Sequence, residues 1–193
     1  MNERRINEAI EVAIKAHGTQ TRKGSDDVPY VVHPWGVSLL LKEFGCTENE
    51  LIAGILHDVI EDTELEYNNI RELFGTEVAN IVDGCSEEDT SAPWMKRKQS
   101  TIKRLNLPKA ADTPAINYVV CADKIHNLRS TKIAMRTHGD EVWERFNSKK
   151  EDQEWYYKEV YHAIKSHAYT YRLEKLLEKL HTAIEDVFGE WNV

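Results

Sequence analysis

The run Leu56-His57-Asp58-Val59-Ile60-Glu61-Asp62-Thr63 sets four metal-capable or acid/base side chains within two helical turns. The residues ahead of it, Leu51-Ile52-Ala53-Gly54-Ile55-Leu56, read as a buried helix. Burying bare carboxylates beside an imidazole costs on the order of several kcal/mol unless a cation or another partner compensates. A divalent metal is the simplest compensation. On a continuous helix His57 and Glu61, Asp58 and Asp62, and Asp58 and Glu61 fall four, four and three residues apart, so the spacing predicts that all four meet at one end of a pocket. The expected chemistry is a metal site with acid/base groups beside it.

The elements that must carry these groups read as helices. Ile6, Ala9, Ile10, Ala13 and Ile14 recur at three and four, and Gly18 ends that amphipathic helix. A polar loop, Thr19 to Tyr30, delivers His33-Pro34; Pro34 suits the first turn of a helix over Trp35 to Phe44, and Gly45 its end. Thr47-Glu48-Asn49-Glu50 is a capping box opening the central helix. Two short helices precede Gly75 and Gly84, and a polar loop from Ser86 to Ala92 leads to a helix over Lys96 to Leu105. Pro114 opens another, running through Val119, Val120, Ile125 and Leu128, and Trp155 to His167 and Leu173 to Phe188 follow the helical period. With no alternating strand, internal repeat or linker, the expectation is a compact all-α bundle: one domain over 1–193, its motif core at about 10–130 and helices at about 138–189 completing it.

Bulk properties exclude several classes. A net charge of −8 on 193 residues repels nucleic acid and anionic membrane, so a small anionic substrate would need local cations or a metal. Cys46, Cys85 and Cys121 lack any C-x-x-C pair, which argues against a disulfide framework or zinc ribbon. The N-terminus has no apolar signal core and no stretch approaches spanning length, so the expected location is the cytoplasm. A homo-oligomer is left open.

Two further residues join the central motif. His33 ends a loop, and Asp123 interrupts the apolar run Tyr118-Val119-Val120-Cys121-Ala122. Singly, a buried histidine is more often a satisfied core residue, and Asp123 could be an internal acceptor or cap. Together His33, His57, Asp58 and Asp123 form a two-histidine, two-carboxylate donor set. Mixed nitrogen and oxygen donors suit manganese, iron or zinc, and magnesium also tolerates the carboxylates; a structural ion-pair network is the alternative.

Ordered blocks extend the pattern: Ala16-His17, Gln20-Thr21-Arg22-Lys23, Pro29-Tyr30, His33-Pro34, Ala53 through Thr63, Phe74-Gly75, and Ala122-Asp123-Lys124-Ile125-His126-Asn127-Leu128-Arg129. In these the chain resembles the HD-domain metal-dependent phosphohydrolases, and among them the hydrolase half of RelA/SpoT proteins and the stand-alone small alarmone hydrolases. The resemblance implies that His33, His57, Asp58 and Asp123 hold one metal, usually Mn2+, and that Glu61 and Asp62 flank the attacked phosphorus. The chemistry agrees: such a cation acidifies bound water and neutralises phosphoryl oxygens, while Glu61 or Asp62 takes or orients the water's proton. The sequence does not choose between the two acids, and both could instead pair with Arg22 or Lys124.

The resemblance also implies substrate contacts. Arg22 and Lys23 would meet the nucleotide, the guanidinium stacking on a purine, and Asn127 would touch sugar or phosphate. Lys96 and Arg97 border the site in the basic run after Pro93, and Arg145 and Tyr156 match residues that help enclose substrate in short stand-alone members. Each has a plainer reading as a solvated charge or core aromatic. Glu87-Glu88-Asp89, and Trp94 where a lysine is common, depart from the best-described alarmone hydrolases and leave the base open between guanine and adenine. The implied activity is removal of the 3′-diphosphate of a (p)ppGpp-like or (p)ppApp-like alarmone as pyrophosphate, with no synthetase. A nucleotidase releasing orthophosphate, or a non-catalytic nucleotide-binding regulator, is the alternative.

Overall fold

The computed structural model describes residues 3–22, 28–87, 89–107, 114–166 and 170–191. Among them the regular structure is helical, and β pairing is limited to one isolated bridge between Thr21 and Pro29. The helices are α1 (Glu3–His17), α2 (Val32–Glu43), α3 (Glu48–Leu56), the single turn α4 (Val59–Asp62), α5 (Tyr67–Phe74), α6 (Thr76–Cys85), α7 (Trp94–Leu105), α8 (Pro114–His138), a 3-10 segment Gly139–Arg145, α9 (Lys150–Lys165) and α10 (Tyr171–Phe188). None is long and apolar enough to cross a membrane.

Helix α3 is the hub, because its apolar run leaves no polar face to turn outward. Every residue from Glu50 to Leu56 is buried, and α1, α2, α6 and α8 pack around it. Its start is fixed by the capping box read from sequence: the Thr47 side chain accepts from the Glu50 N–H, and the Glu50 carboxylate accepts from the Thr47 N–H at 2.5 Å. Helix α8 runs on ten residues beyond Leu128 and is clamped by α2, α6 and α10. Asp123, Lys124, Asn127, Ser130 and Thr131 face the cavity described below, while Tyr118, Ile125 and Leu128 join the core.

Two expectations need correction. The central motif is not one continuous helix: α3 stops at Leu56, His57 and Asp58 form a turn, and α4 restarts at Val59. The His57 ring bonds the Gly54 carbonyl there, satisfying one of the acceptors a helix end leaves free. Helix α6 runs one residue past Gly84, to Cys85, and a Cβ at Gly84 would sit 2.3 Å from Ile116 Cδ1, so the end of that α8 side chain would have to shift. The three cysteines are free thiols.

Candidate metal centre and substrate cavity

Three separate elements bring the donors together. His33 comes from the first turn of α2, His57 and Asp58 from the break between α3 and α4, and Asp123 from the middle of α8. The His33 Nε2 atom lies 3.2 Å from Asp123 Oδ1 and 3.6 Å from Asp58 Oδ2, and His57 Nε2 lies 2.9 Å from Asp58 Oδ2 and 3.8 Å from Asp123 Oδ1. Both imidazoles are almost fully buried, at 1% and 4% exposure.

The donor chemistry fits a divalent cation. A carbonyl only accepts, so His57 Nδ1 donates to Gly54 O at 2.9 Å and its Nε2 carries the lone pair in the neutral ring. That Nε2 is buried and makes no hydrogen bond of acceptable geometry, although a carboxylate oxygen is in contact. An orphaned nitrogen facing carboxylates is the arrangement a cation completes. His33, His57 and Asp58 each offer a ligand atom within 4.8 Å of the others. The surrounding charge favours a positive occupant, a proton where no cation is bound: burial works against a charged His57, but Asp58 and then Asp123 raise it to about 9. Burial would raise both aspartates, yet His57 and His33 hold Asp58 low, and Lys124 with the same histidines holds Asp123 low.

A further layer orients the donors. The Tyr30 hydroxyl donates to Asp58 Oδ2 at 2.6 Å, Lys124 Nζ to Asp123 Oδ2 at 2.6 Å, and Asn127 Nδ2 to Asp123 Oδ1. These contacts leave fewer free orientations to the carboxylate oxygens.

The centre opens into a cavity of about 510 Å³. Glu61 and Asp62 line it beside Asp58, and burial first, then neighbouring acids, raises both carboxyls above the ordinary range. Glu61 Oε2 accepts from the Glu87 N–H at 3.1 Å, while Oε1 lies 3.4 Å from Arg97. Arg22 also lines the cavity, donating to Asn127 Oδ1 at 2.8 Å with its guanidinium 5.7 Å from the Tyr30 ring. Tyr156 forms part of the opposite wall, buried at 4% exposure, with Lys98 and Lys124 ammonium groups 5.0 and 5.3 Å from its ring.

The structure thus gathers His33, His57, Asp58, Asp123, Glu61, Asp62, Arg22, Asn127, Arg97 and Tyr156 around one cavity. It does not bring Lys96 or Arg145 there: both are exposed and stand outside the lining. On α7 the cations that line the cavity are Arg97 and Lys98, one step along from the expected pair, because Trp94 packs inward against Tyr156 and sets the helix's rotation. Lys23 lies outside the described residues. Sequence reasoning gave no role to Tyr30, Lys98 or His126, and offered Lys124 only as a partner of Glu61 or Asp62, whereas it pairs with Asp123; Tyr30, Lys124 and His126 stood inside the quoted blocks, and the α7 helical period with Trp94 turned inward could have favoured Lys98.

A helical scaffold presenting a histidine, then an adjacent His-Asp pair, then a distant aspartate defines the HD-domain class, and the chain belongs to that family: residues 9–152 match the HD domain model. Its relatives include a GTP pyrophosphokinase of Streptomyces coelicolor, 35% identical over 69% of this chain and 15% of that protein. A guanosine-3′,5′-bis(diphosphate) 3′-pyrophosphohydrolase of Aquifex aeolicus is 31% identical over 81% of this chain and 24% of its own length. The chain therefore spans about a quarter or less of these curated relatives. Among solved structures, a metazoan SpoT ortholog described as hydrolysing ppGpp aligns with a TM-score of 0.74 at 26% identity, over 94% of this chain and 96% of that one.

Proposed function

We propose that the chain is a metal-dependent 3′-pyrophosphohydrolase of a (p)ppGpp-like or (p)ppApp-like nucleotide, working with Mn2+ as one domain that joins the motif core to the C-terminal helices. The observation that carries this reading is the meeting of His33, His57, Asp58 and Asp123 beside two carboxyls of raised proton affinity, Glu61 and Asp62. His33, His57, Asp58 and Asp123 would hold the cation. When bound, that cation supplies charge neutralisation at phosphoryl oxygens and acidifies water.

The remaining work falls to the chain. Tyr30 and Gly54 O fix Asp58 and His57, and Asn127 and Lys124 fix Asp123. Glu61 or Asp62 accepts the proton of the attacking water, as their raised affinity suits. The new bond joins water oxygen to the phosphorus nearest the ribose, the 3′ oxygen–phosphorus bond breaks, and the proton passes to the departing ribose oxygen. Arg97, Lys98 and Lys124 gather the pyrophosphate charge, and Arg22 presents a guanidinium plane on which a purine stacks. The cavity volume falls in the range of pockets that enclose small ligands, about 300–1,000 Å³.

Incubating the Mn2+-loaded protein with guanosine and adenosine 3′-diphosphate nucleotides and with the 5′-monophosphates, and separating the products by charge, tests this reading and the base preference together. Pyrophosphate release supports it. Orthophosphate released from a 5′-monophosphate instead makes the chain a nucleotidase, and no turnover across the panel makes it a binding regulator.

A further inference from the structure

The two metal-facing imidazoles are steadied in different ways. His57 is held by a backbone carbonyl, which can only accept, so its tautomer is settled. His33 meets another imidazole: its Nδ1 lies 2.9 Å from Nδ1 of His126, with the rings 4.9 Å apart at 55°. Only one hydrogen fits between two such nitrogens. If it belongs to His126, the neutral His33 carries its own hydrogen on Nε2, aimed at Asp123 Oδ1, and cannot donate a lone pair there. If it belongs to His33, Nε2 is free.

His126 owes its place to a glycine. Gly36 follows His33 by three residues on α2, and a Cβ there would lie 2.2 Å from His126 Nε2 and 2.4 Å from Cδ2. Every atom so crowded belongs to the His126 ring, so the bare α2 backbone is a seat shaped for that ring. On α8, His126 stands three residues after Asp123, beside a metal ligand it does not touch within the criteria of a hydrogen bond.

We propose that His126, seated on Gly36, is a positioning residue that accepts the His33 Nδ1 hydrogen and so keeps His33 Nε2 open toward the divalent cation. The proposal rests on the metal reading above. It makes Gly36 a determinant of metal affinity although glycine offers no ligand atom, and it ties α2 to α8 at the point where each contributes a donor.

Mn2+ titration of the full chain by calorimetry, in the wild type and in His126→Leu, His126→Asn and Gly36→Ala, tests it. Leucine fills the space without accepting; asparagine offers its carboxamide oxygen near the place of Nδ1. His126→Leu and Gly36→Ala are expected to weaken Mn2+ binding by about 10–100-fold, with His126→Asn recovering most of the loss. Gly36→Ala should weaken Mn2+ binding far less in the His126→Leu background than in the wild type, since both act on it through one contact. Long-range 1H–15N spectra of the Zn2+-loaded wild type should show the hydrogen on His33 Nδ1. Thermal unfolding is followed for each variant; if His126→Leu does not fold, Gly36→Ala decides, because alanine is favoured over glycine in a helix interior. Wild-type affinity in either variant, or recovery by leucine but not asparagine, overturns the proposal alone. A wild-type chain that takes up no divalent cation overturns the metal reading and this inference with it.

Discussion

The Tyr30 hydroxyl donates to Asp58 Oδ2 at 2.6 Å, the same oxygen that lies 2.9 Å from His57 Nε2. One carboxylate oxygen is thus shared between a ligand position and a phenol anchored from the loop before α2. Burial first, and then the Asp58 charge, raise the phenol's pKa, so Tyr30 remains a donor throughout the working range. Tyr30→Phe is expected to weaken Mn2+ binding by about tenfold while leaving the fold intact. Calorimetric titration and a far-ultraviolet spectrum check the two halves of that statement.

Substitutions at the two cavity acids should separate metal binding from proton transfer. Glu61→Gln and Asp62→Asn should each retain Mn2+, and the one that serves as base should lose about 10²–10⁴-fold in kcat. Because Glu61 is already engaged by the Glu87 N–H and faces Arg97, its loss would also move the α7 side of the cavity. Single-turnover kinetics alongside metal titration decide which acid is the base; full activity in both variants removes them from the chemistry.

Glu87 neutralises Arg97 and Lys98, the two cations α7 turns toward the cavity. Burial would raise its carboxyl, but Lys98 and then Arg97 hold it below the ordinary value. A depressed folded-state pKa contributes stability that is present above the unfolded value, about 4.3, and lost as pH falls through the folded one. Glu87→Gln should therefore flatten the decline in Tm below about pH 5. The same variant releases Lys98 and leaves Arg97 to Glu61 alone, and its KM for a polyphosphorylated nucleotide is expected to drop and to rise more steeply with salt.

Removing the cation should be visible in stability as well as in rate. With Mn2+ at a hundredfold excess over its Kd, the folded state gains about 2.7 kcal/mol. A chelator should accordingly lower Tm and abolish turnover, and Mn2+ addition should restore both. An unchanged Tm at saturating Mn2+ would count against a site of this kind.

The α3 cap offers a control away from the chemistry. Thr47→Ala removes the acceptor for the Glu50 N–H and should cost about 1 kcal/mol in denaturant unfolding with no change in KM.

Much of this architecture could be read directly from residue order. The Thr47 box marked the start of α3, Gly45 its predecessor's end, and the uninterrupted apolar run after Glu50 marked the hub, since each signal is local. The meeting of His33, His57, Asp58 and Asp123 was legible for another reason: polar residues embedded in apolar runs must meet something. What escaped was rotation and backbone continuity. Whether Lys96 or Lys98 faces inward depends on Trp94 docking against Tyr156, a contact with α9 sixty-two residues away. The break at His57 depends on a side chain competing for the Gly54 carbonyl, which periodicity does not encode. Likewise His126 reads as one more helical polar residue until Gly36 and His33 are seen on either side of it.

Helix α8 bears Asp123, His126 and Asn127 along one edge and is clasped by α10 along another, with Tyr118 bonded to Thr170 and Lys132 paired to Asp186. Helix α10 is therefore a splint for the candidate centre. On gentle heating, catalysis and tertiary structure should vanish in a single step, with no half-melted form left that still turns over nucleotide.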